Sequence, residues 1–169
     1  MSVPTTNTAA AAADTNENDK VFYPHPNGIP KTLTRSFLVL GVETDAWVQL
    51  FSDRIFIGVS QLDCKVGTYL MCEAERSETN PKQTDYHIST LLGNREDAML
   101  GVYARTITER IQAFQESLSE GEITKPPILL LGISLDKEKG KSPEMFRNLV
   151  NILVDMYVDA VKDNGHLEE

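Results

Sequence analysis

The order of the secondary-structure patterns is the feature that most restricts the fold, because five strand patterns precede the first helical one. In Val66–Glu75, apolar side chains recur at every second position, as in a strand with one buried face. The five segments are Thr32–Val42, Ala46–Phe51, Arg54–Ser60, Val66–Glu75 and Thr84–Leu92. Short turn sequences at 43–45, 52–53 and 63–65 separate the first four segments and predict antiparallel hairpins.

A helix, a sixth strand and a second helix follow. Apolar residues at steps of three and four predict a helix over Arg95–Leu118, with Asn94 as its N-cap. The continuous apolar run Ile128–Ser134 is typical of a strand that is buried on both faces. Ser142 as N-cap and Pro143 at the first helical position predict the start of the second helix.

These patterns give the order βββββαβα. The predicted fold class is therefore α+β, with an antiparallel sheet of about six strands packed with two α-helices. The second helix, which is expected to end near Val161, has an apolar arc wider than the ~100° that a helix on one sheet needs. It is either wedged deep in the domain or covered on its second side by a partner.

The 169 residues suffice for one domain with a core of its own. Residues 1–31 offer little that a core could bury and end in a proline-rich lead-in, so we expect them to be disordered. A single α+β domain is expected over residues 32–162. The polar residues 163–169 are expected to form a frayed tail.

The charge balance and the cysteine content exclude several classes of partner. Sixteen Lys and Arg against 25 Asp and Glu give a net charge of −9, whereas nucleic-acid binding needs clustered cations, so no nucleic-acid partner is expected. No apolar run approaches the roughly 20 residues that span a bilayer, so no membrane partner is expected. Two cysteines without a CxxC pair, and an N-terminus without the features of a signal or transit peptide, predict a cytoplasmic location, with the nucleus as a second compartment.

The side chains that carry catalytic chemistry are scattered. Of the three histidines only His87 lies in a predicted element, and no serine occupies a nucleophile-elbow motif. Cys64 lies beside Lys65, which would lower a thiol pKa, but an incidental turn cysteine is the favoured interpretation. Residues 132–142 resemble a phosphate-binding loop, yet Leu135 occupies the position that must be glycine. We therefore expect no catalytic residue, no cofactor and no metal, and a protein that acts by binding.

Four short motifs occur in an order that resembles the proteasome assembly chaperone 3 family, small proteins of the 20S assembly machinery. They are Gly41-Val42-x-Thr44, Lys65-Val66-Gly67-Thr68 before an apolar strand, Leu91-Leu92-Gly93-Asn94 at a helix entry, and Ile128–Leu135 before Asp136-Lys137. The resemblance covers about residues 37–155. Chaperone 4 of the same machinery shares the fold and the helix entry, and the Lys-x-Gly-Thr turn favours chaperone 3.

The resemblance implies a chaperone without enzymatic activity that works as a dimer, with a chaperone 4-type paralogue or with a second copy. It also implies that the dimer holds α-type proteasome subunits transiently during α-ring assembly. The second helix is the expected dimer interface, through Met145, Leu149, Ile152 and Met156. Binding residues usually lie on exposed loops. The expected client contacts are therefore in two loops, at Asp63, Cys64, Lys65, Gly67, Asn94 and Arg95. Alternatives are a small α+β scaffold of longin or roadblock type in trafficking or signalling, an enzyme, and, for the two loops, turn chemistry alone.

Overall fold

Over the residues that the structure describes, six strands and two helices follow one another in the order βββββαβα, which confirms the predicted α+β class. A computed structural model describes residue 30 and residues 32–65, 67–77, 79–80, 83–119 and 127–165. The elements are β1 (Thr32–Val39), β2 (Val42–Leu50), β3 (Ile55–Ser60), β4 (Thr68–Arg76), β5 (Thr84–Leu92), α1 (Ala98–Leu118), β6 (Ile128–Ser134) and α2 (Pro143–Gly165). Neither helix is long and apolar enough to cross a bilayer, as judged over the described ranges.

The six strands form one sheet in the order β1-β2-β3-β6-β4-β5. The sheet is mostly antiparallel, as predicted, but β3 and β6 run parallel. Since β6 lies between β3 and β4, those two strands do not pair, and the predicted hairpin over 63–65 is wrong. The loop between β3 and β4 instead crosses the width of β6, about 10 Å.

The turn of the first hairpin lies earlier in the chain than the predicted acidic turn at 43–45. Leu40 and Gly41 have φ angles of 50° and 75°, and they form the two-residue turn between β1 and β2. Positive φ at both central residues suits the twist of a tight hairpin, and glycine accepts it without strain. The expected turn at 43–45 lies inside β2, where Thr44 pairs with Phe37 and is buried.

The helix boundaries differ from the predicted ones in two places. Asp97, not Asn94, is the N-cap of α1, because its carboxylate accepts a hydrogen bond from the Met99 amide at 3.1 Å. Asn94 accepts instead from the Glu96 amide at 2.9 Å, in the turn before the helix. The start of α2 was predicted correctly, since Ser142 Oγ accepts from the Met145 amide at 3.0 Å.

Helix α2 continues to Gly165, four residues beyond the predicted end at Val161. It therefore includes the first three positions of the predicted frayed tail. The remaining positions of that tail, 166–169, lie outside the described residues. The predicted disordered lead-in, 1–31, also lies outside them, except for residue 30.

Both helices pack on the same face of the sheet, and the core lies between the two layers. The side chains of Val48, Ile57 and Leu131 on that face have no exposed surface. The buried members of α2 are Met145, Leu149, Val150, Leu153, Met156, Tyr157 and Ala160. The wide apolar arc of α2 is thus explained by its deep position in the domain.

This burial corrects the residues expected at a dimer interface. Met145, Leu149 and Met156 have no exposed surface in the chain, so their side chains have none to offer a partner. Ile152 is partly exposed and packs at the margin of the core. Of the four residues, only Ile152 retains surface that a second protein can reach.

Candidate protein-binding surfaces

The face of the sheet that points away from the helices carries an uncovered apolar surface, which we call the outer face. Its central side chains are partly exposed: Trp47, Phe56, Tyr69, Met71 and Leu130. They alternate along their strands with the buried residues of the core, so both faces of the central strands are apolar. Over the described ranges, both helices lie on the opposite face.

Three aromatic rings form a row across this face. The Trp47 and Phe56 ring centroids lie 6.0 Å apart in an edge-on arrangement, and Phe56 and Tyr69 lie 6.4 Å apart. Gly58 makes room for the row, because a Cβ atom there would lie 1.9 Å from an indole carbon of Trp47. The indole therefore packs directly against the strand backbone, and this glycine fixes its position.

The row was not predicted from the sequence, although a signal for it existed. Phe56 stands between Ile55 and Ile57, which face the core. Likewise, Leu130 stands between Leu129 and Leu131. A strand with apolar residues at both odd and even positions has two apolar faces, and both are expected to be buried. The run Ile128–Ser134 was interpreted in this way, but in the structure Ile128 and Leu130 remain partly exposed.

A second surface, which we call the loop end, lies where β3 and β6 end and β4 begins. It consists of the β1–β2 turn, residues 61–65 and 67 before β4, the α1 entry 93–97 and the loop 135–142. Two leucines of these segments are exposed: Leu40 at 45 % and Leu62 at 44 % of their surface. Exposed apolar side chains on loops at one end of a rigid sheet are typical of a protein-binding site.

The loop end brings together all six residues that were predicted to contact a client: Asp63, Cys64, Lys65, Gly67, Asn94 and Arg95. The structure places each of them at the surface. The two loops touch at Gly93, whose φ of 97° requires glycine and where a Cβ atom would lie 2.2 Å from the Gly67 carbonyl oxygen. The backbone amide of Asn94 donates a hydrogen bond to Thr68 Oγ1 at 3.1 Å, which holds the α1 entry against the start of β4.

Local hydrogen bonds define the shape of the β3–β4 loop. Ser60 Oγ donates to the Lys65 carbonyl at 2.8 Å and accepts from the Leu62 amide at 3.2 Å. Asp63 and Cys64 at its tip have φ angles of 51° and 58°, in the left-handed region. This closed turn presents Leu62, Asp63 and Cys64 to solvent.

Cys64 is not an activated thiol. Its Sγ donates to Asp45 Oδ2 at 3.1 Å, and this hydrogen bond, together with the nearby carboxylate charge, raises the pKa of the thiol. Hydrogen bonds from Ser36 and Cys64 lower the pKa of Asp45 in turn. The neighbouring Lys65 does not outweigh the carboxylate, and this environment suits the favoured interpretation of Cys64 as an incidental turn cysteine.

Gln61 ties the loop end to the body of the domain. Its amide nitrogen donates to Thr44 Oγ1 at 3.2 Å and to Met145 Sδ at 3.3 Å. Its amide oxygen accepts from the backbone of Asp136 at 3.0 Å. One side chain thus links β2, α2 and the loop 135–142.

The loop 135–142 is itself well braced. The Asp136 carboxylate accepts from the amides of Glu138 and Lys139 at 3.0 and 2.8 Å, and these bonds lower its pKa. Buried Tyr103 donates to the Gly140 carbonyl at 3.4 Å, and burial raises the pKa of Tyr103 to about 12. The loop end is therefore a preorganised surface, which lowers the entropic cost of binding.

The remaining chemically active side chains do not converge. His87 is exposed on β5, with its Nε2 3.6 Å from a carboxylate oxygen of Glu75. Cys72 is buried in the core, where desolvation raises the pKa of its thiol. In the part of the chain that the structure describes, no three or more His, Cys, Asp or Glu side chains are grouped to hold a metal ion.

Comparison with known families and with solved structures finds similar proteins in both. The family described as proteasome assembly chaperone 3 matches residues 57–156, from β3 into the last turns of α2. One chain of a crystal structure, described as a novel chaperone complex for yeast 20S proteasome assembly, is 19 % identical and superposes with a TM-score of 0.49. That similarity covers 76 % of this chain and 98 % of the other. Among curated protein sequences, nothing matches.

Proposed function

The chain belongs to the proteasome assembly chaperone 3 family, and on this premise we propose that it promotes assembly of the 20S proteasome α-ring as one half of a chaperone dimer. The family match carries this conclusion, because it runs from residue 57 to residue 156 and so includes β4, β5, α1 and β6 with most of β3 and the first half of α2. In this proposal the dimer binds α-type subunits transiently and takes no part in bond-making chemistry. A chaperone 4-type paralogue is the proposed partner, and a second copy is the alternative.

The outer face is the proposed contact with the partner chaperone. Its aromatic and aliphatic side chains are partly exposed, and no helix of the described ranges covers them. Six strands at about 4.8 Å spacing and about 23 Å length give a footprint of roughly 650 Å². This approaches the roughly 800 Å² per partner of a standard stable interface.

Composition also favours this face over α2. The core of a stable interface is enriched in aromatic residues and methionine, and the outer face offers Trp47, Phe56, Tyr69 and Met71. The partly exposed apolar residues of α2 include one aromatic residue and no methionine: Phe146, Ile152, Val154, Val158 and Val161. We therefore move the proposed dimer interface from α2 to the outer face.

The loop end is the proposed contact with the α-type subunit. It is distinct from the outer face, so the chaperone can hold a partner and a client together. Its exposed leucines lie among charged residues of both signs, including Asp63, Lys65 and Arg95. Such a mixed loop surface is typical of interfaces that form and dissociate, which suits a chaperone that leaves before the particle matures.

Affinity purification of the tagged full-length chain from cells, followed by quantitative mass spectrometry, tests the proposed function. We expect a chaperone 4-type paralogue and α-type subunits in the eluate, and no mature β-type subunits. The untagged chain provides the background. Fractionation of the same cells checks the predicted location in the cytoplasm and the nucleus.

The alternative as a trafficking or signalling scaffold predicts a different eluate. Recovery of vesicle or GTPase components in place of proteasome subunits would contradict the proposal. Recovery of complete 20S particles with mature β-type subunits would contradict the proposed stage of action.

A further inference from the structure

Strand β5 forms an open edge of the sheet. It pairs only with β4 in the part of the chain that the structure describes, and its nine residues lie mostly at the surface. Natural edge strands are usually protected by proline, lysine or a central bulge. β5 contains neither proline nor lysine, and its one irregularity lies near its end, opposite Tyr69 and Leu70.

The hydrogen-bonding groups that face this edge follow from the neighbouring ladder. The Ala74 amide donates to the Pro127 carbonyl at 3.4 Å, so the backbone groups of Ala74 point toward β6. The alternate residues of β4, such as Glu73, therefore point toward β5, where Glu73 pairs with His87. It follows that Thr84, Tyr86, Ile88 and Thr90 direct their N–H and C=O groups to the free edge.

The side chains of β5 suit pairing with an identical strand. In an antiparallel pair centred on Ile88, Ile88 lies opposite itself, Tyr86 opposite Thr90 and His87 opposite Ser89 of the second copy. Asp85 falls opposite the region of Leu91, so no like charges meet. Favourable cross-strand pairs without charge repulsion stabilise such a ladder, and about six backbone hydrogen bonds would form in it.

A small apolar patch beside the β5 edge, formed by Ile88 and Val102, supports the register centred on Ile88. On the helix side of the sheet, Ile88 is 38 % exposed and Val102 of α1 is 47 % exposed. Ile88 packs against α1 at Gly101, where a Cβ atom would lie 4.0 Å from Ile88 Cδ1, an ordinary contact distance. A two-fold axis at Ile88 brings the apolar patches of the two copies together. It thereby buries apolar side chains that are exposed in a single copy.

We propose that two copies of the chain associate through antiparallel pairing of their β5 strands, centred on Ile88. The pairing uses neither the aromatic row of the outer face nor the helices' buried stripes. It therefore joins two chaperone units side by side, a property beyond the proposed chaperone function. The continuous sheet so formed would contain the strands of both copies.

Site-specific disulfide cross-linking of the full-length chain tests this register. Cys64→Ser first removes the exposed native thiol, and buried Cys72 is kept. Ile88→Cys places two thiols across a hydrogen-bonded pair with Cα atoms about 5.5 Å apart, within the range of a disulfide. Asp85→Cys is the matched control on the same strand, because its two copies would lie about 20 Å apart. With oxidised glutathione, we expect Ile88→Cys to become mostly a covalent dimer and Asp85→Cys to stay monomeric.

Sedimentation velocity measures the association without engineered thiols. We expect a reversible dimer of the isolated wild-type chain at about 100 µM, and at least about tenfold weaker association of Ile88→Lys, which sets like charges opposite each other. A wild-type chain that stays monomeric, or equal cross-linking at positions 85 and 88, would overturn the proposal. So would protection of the β5 amides from hydrogen exchange only when a client is added, since that assigns the edge to the client. None of these three results decides the chaperone function, which the affinity purification tests separately.

Discussion

The two faces of the sheet are built alike but are covered differently. On the central strand β6, Leu131 points to the helices and has no exposed surface, whereas its neighbour Leu130 is partly exposed on the outer face. On β3, Ile57 and Phe56 show the same contrast. A strand with apolar residues at both odd and even positions has two apolar faces that must be shielded from water. In the described part of the chain, the helices shield only the inner face. The unshielded outer face is the physical reason for placing a partner there.

The largest expected effect is a difference in the free energy of unfolding between substitutions on the inner face and on the outer face. Leu131→Ala should lower the free energy of unfolding by about 3 kcal/mol, because it leaves a cavity in a fully buried site. Leu130→Ala, one residue away, should cost about 1 kcal/mol or less, because its side chain is already partly in water. Urea denaturation of both variants measures the difference, and equal losses would show that the outer face is as closed as the inner one.

A smaller effect should come from the glycine under the aromatic row. Gly58→Ala places a Cβ atom against the Trp47 indole and should destabilise the domain by about 2 kcal/mol, as overpacking does. Trp47 is the only tryptophan, so its fluorescence reports the displacement directly. Gly67→Ala is the control, since its Cβ atom would lie 3.5 Å from Ser134 Oγ, an ordinary contact. Unchanged emission in Gly58→Ala would contradict the packing of the indole on the backbone.

The smallest effect concerns Tyr103, which braces the loop end from the helix side. Tyr103→Phe should cost about 1 kcal/mol at pH 8, because the hydrogen bond to the Gly140 carbonyl is lost. The pKa of Tyr103 is raised to about 12 in the fold, above its ordinary value near 10, so the fold favours the neutral phenol. Its contribution is complete below about pH 10 and is lost as the pH rises through about 12.

The measurement is the difference between wild type and Tyr103→Phe in urea melts at increasing pH. Wild type should lose stability relative to the variant between about pH 10 and pH 12, since only wild type carries the buried phenol. A difference that stays constant over this range would show that Tyr103 reaches solvent in the native state.

Local signals in the sequence predicted much of the fold. The Ser142–Pro143 helix start, the alternation in β4 and the continuous run of β6 each depend on neighbouring residues, and each prediction of an element was correct. The resemblance to the chaperone family rested on short motifs of the same local kind. The two loops that were expected to contact a client lie side by side, joined by the hydrogen bond from the Asn94 backbone amide to Thr68 Oγ1. Their role as client contacts stays a prediction.

Long-range choices could not be predicted in the same way. Nothing in the Asp63–Lys65 turn indicates that β6 enters between β3 and β4, since that pairing depends on residues about 70 positions away. The choice of Asp97 over Asn94 as N-cap depends on how Asn94 is held by Thr68. The apolar arc of α2 could be assigned to a partner or to the core, and only the packing of the helix on β1 and β2 decided for the core.

Partner binding and client binding are expected to lie on different surfaces of the domain. The most direct test is co-expression of tagged variants with a chaperone 4-type paralogue and an α-type subunit, followed by quantification of both in the eluate. Phe56→Thr with Leu130→Thr should lose the paralogue, while Leu40→Asp with Leu62→Asp should lose the α-type subunit and retain the paralogue. Circular dichroism of each variant confirms the fold. Loss of the paralogue from the loop-end variant, with full retention in the outer-face variant, would contradict the account.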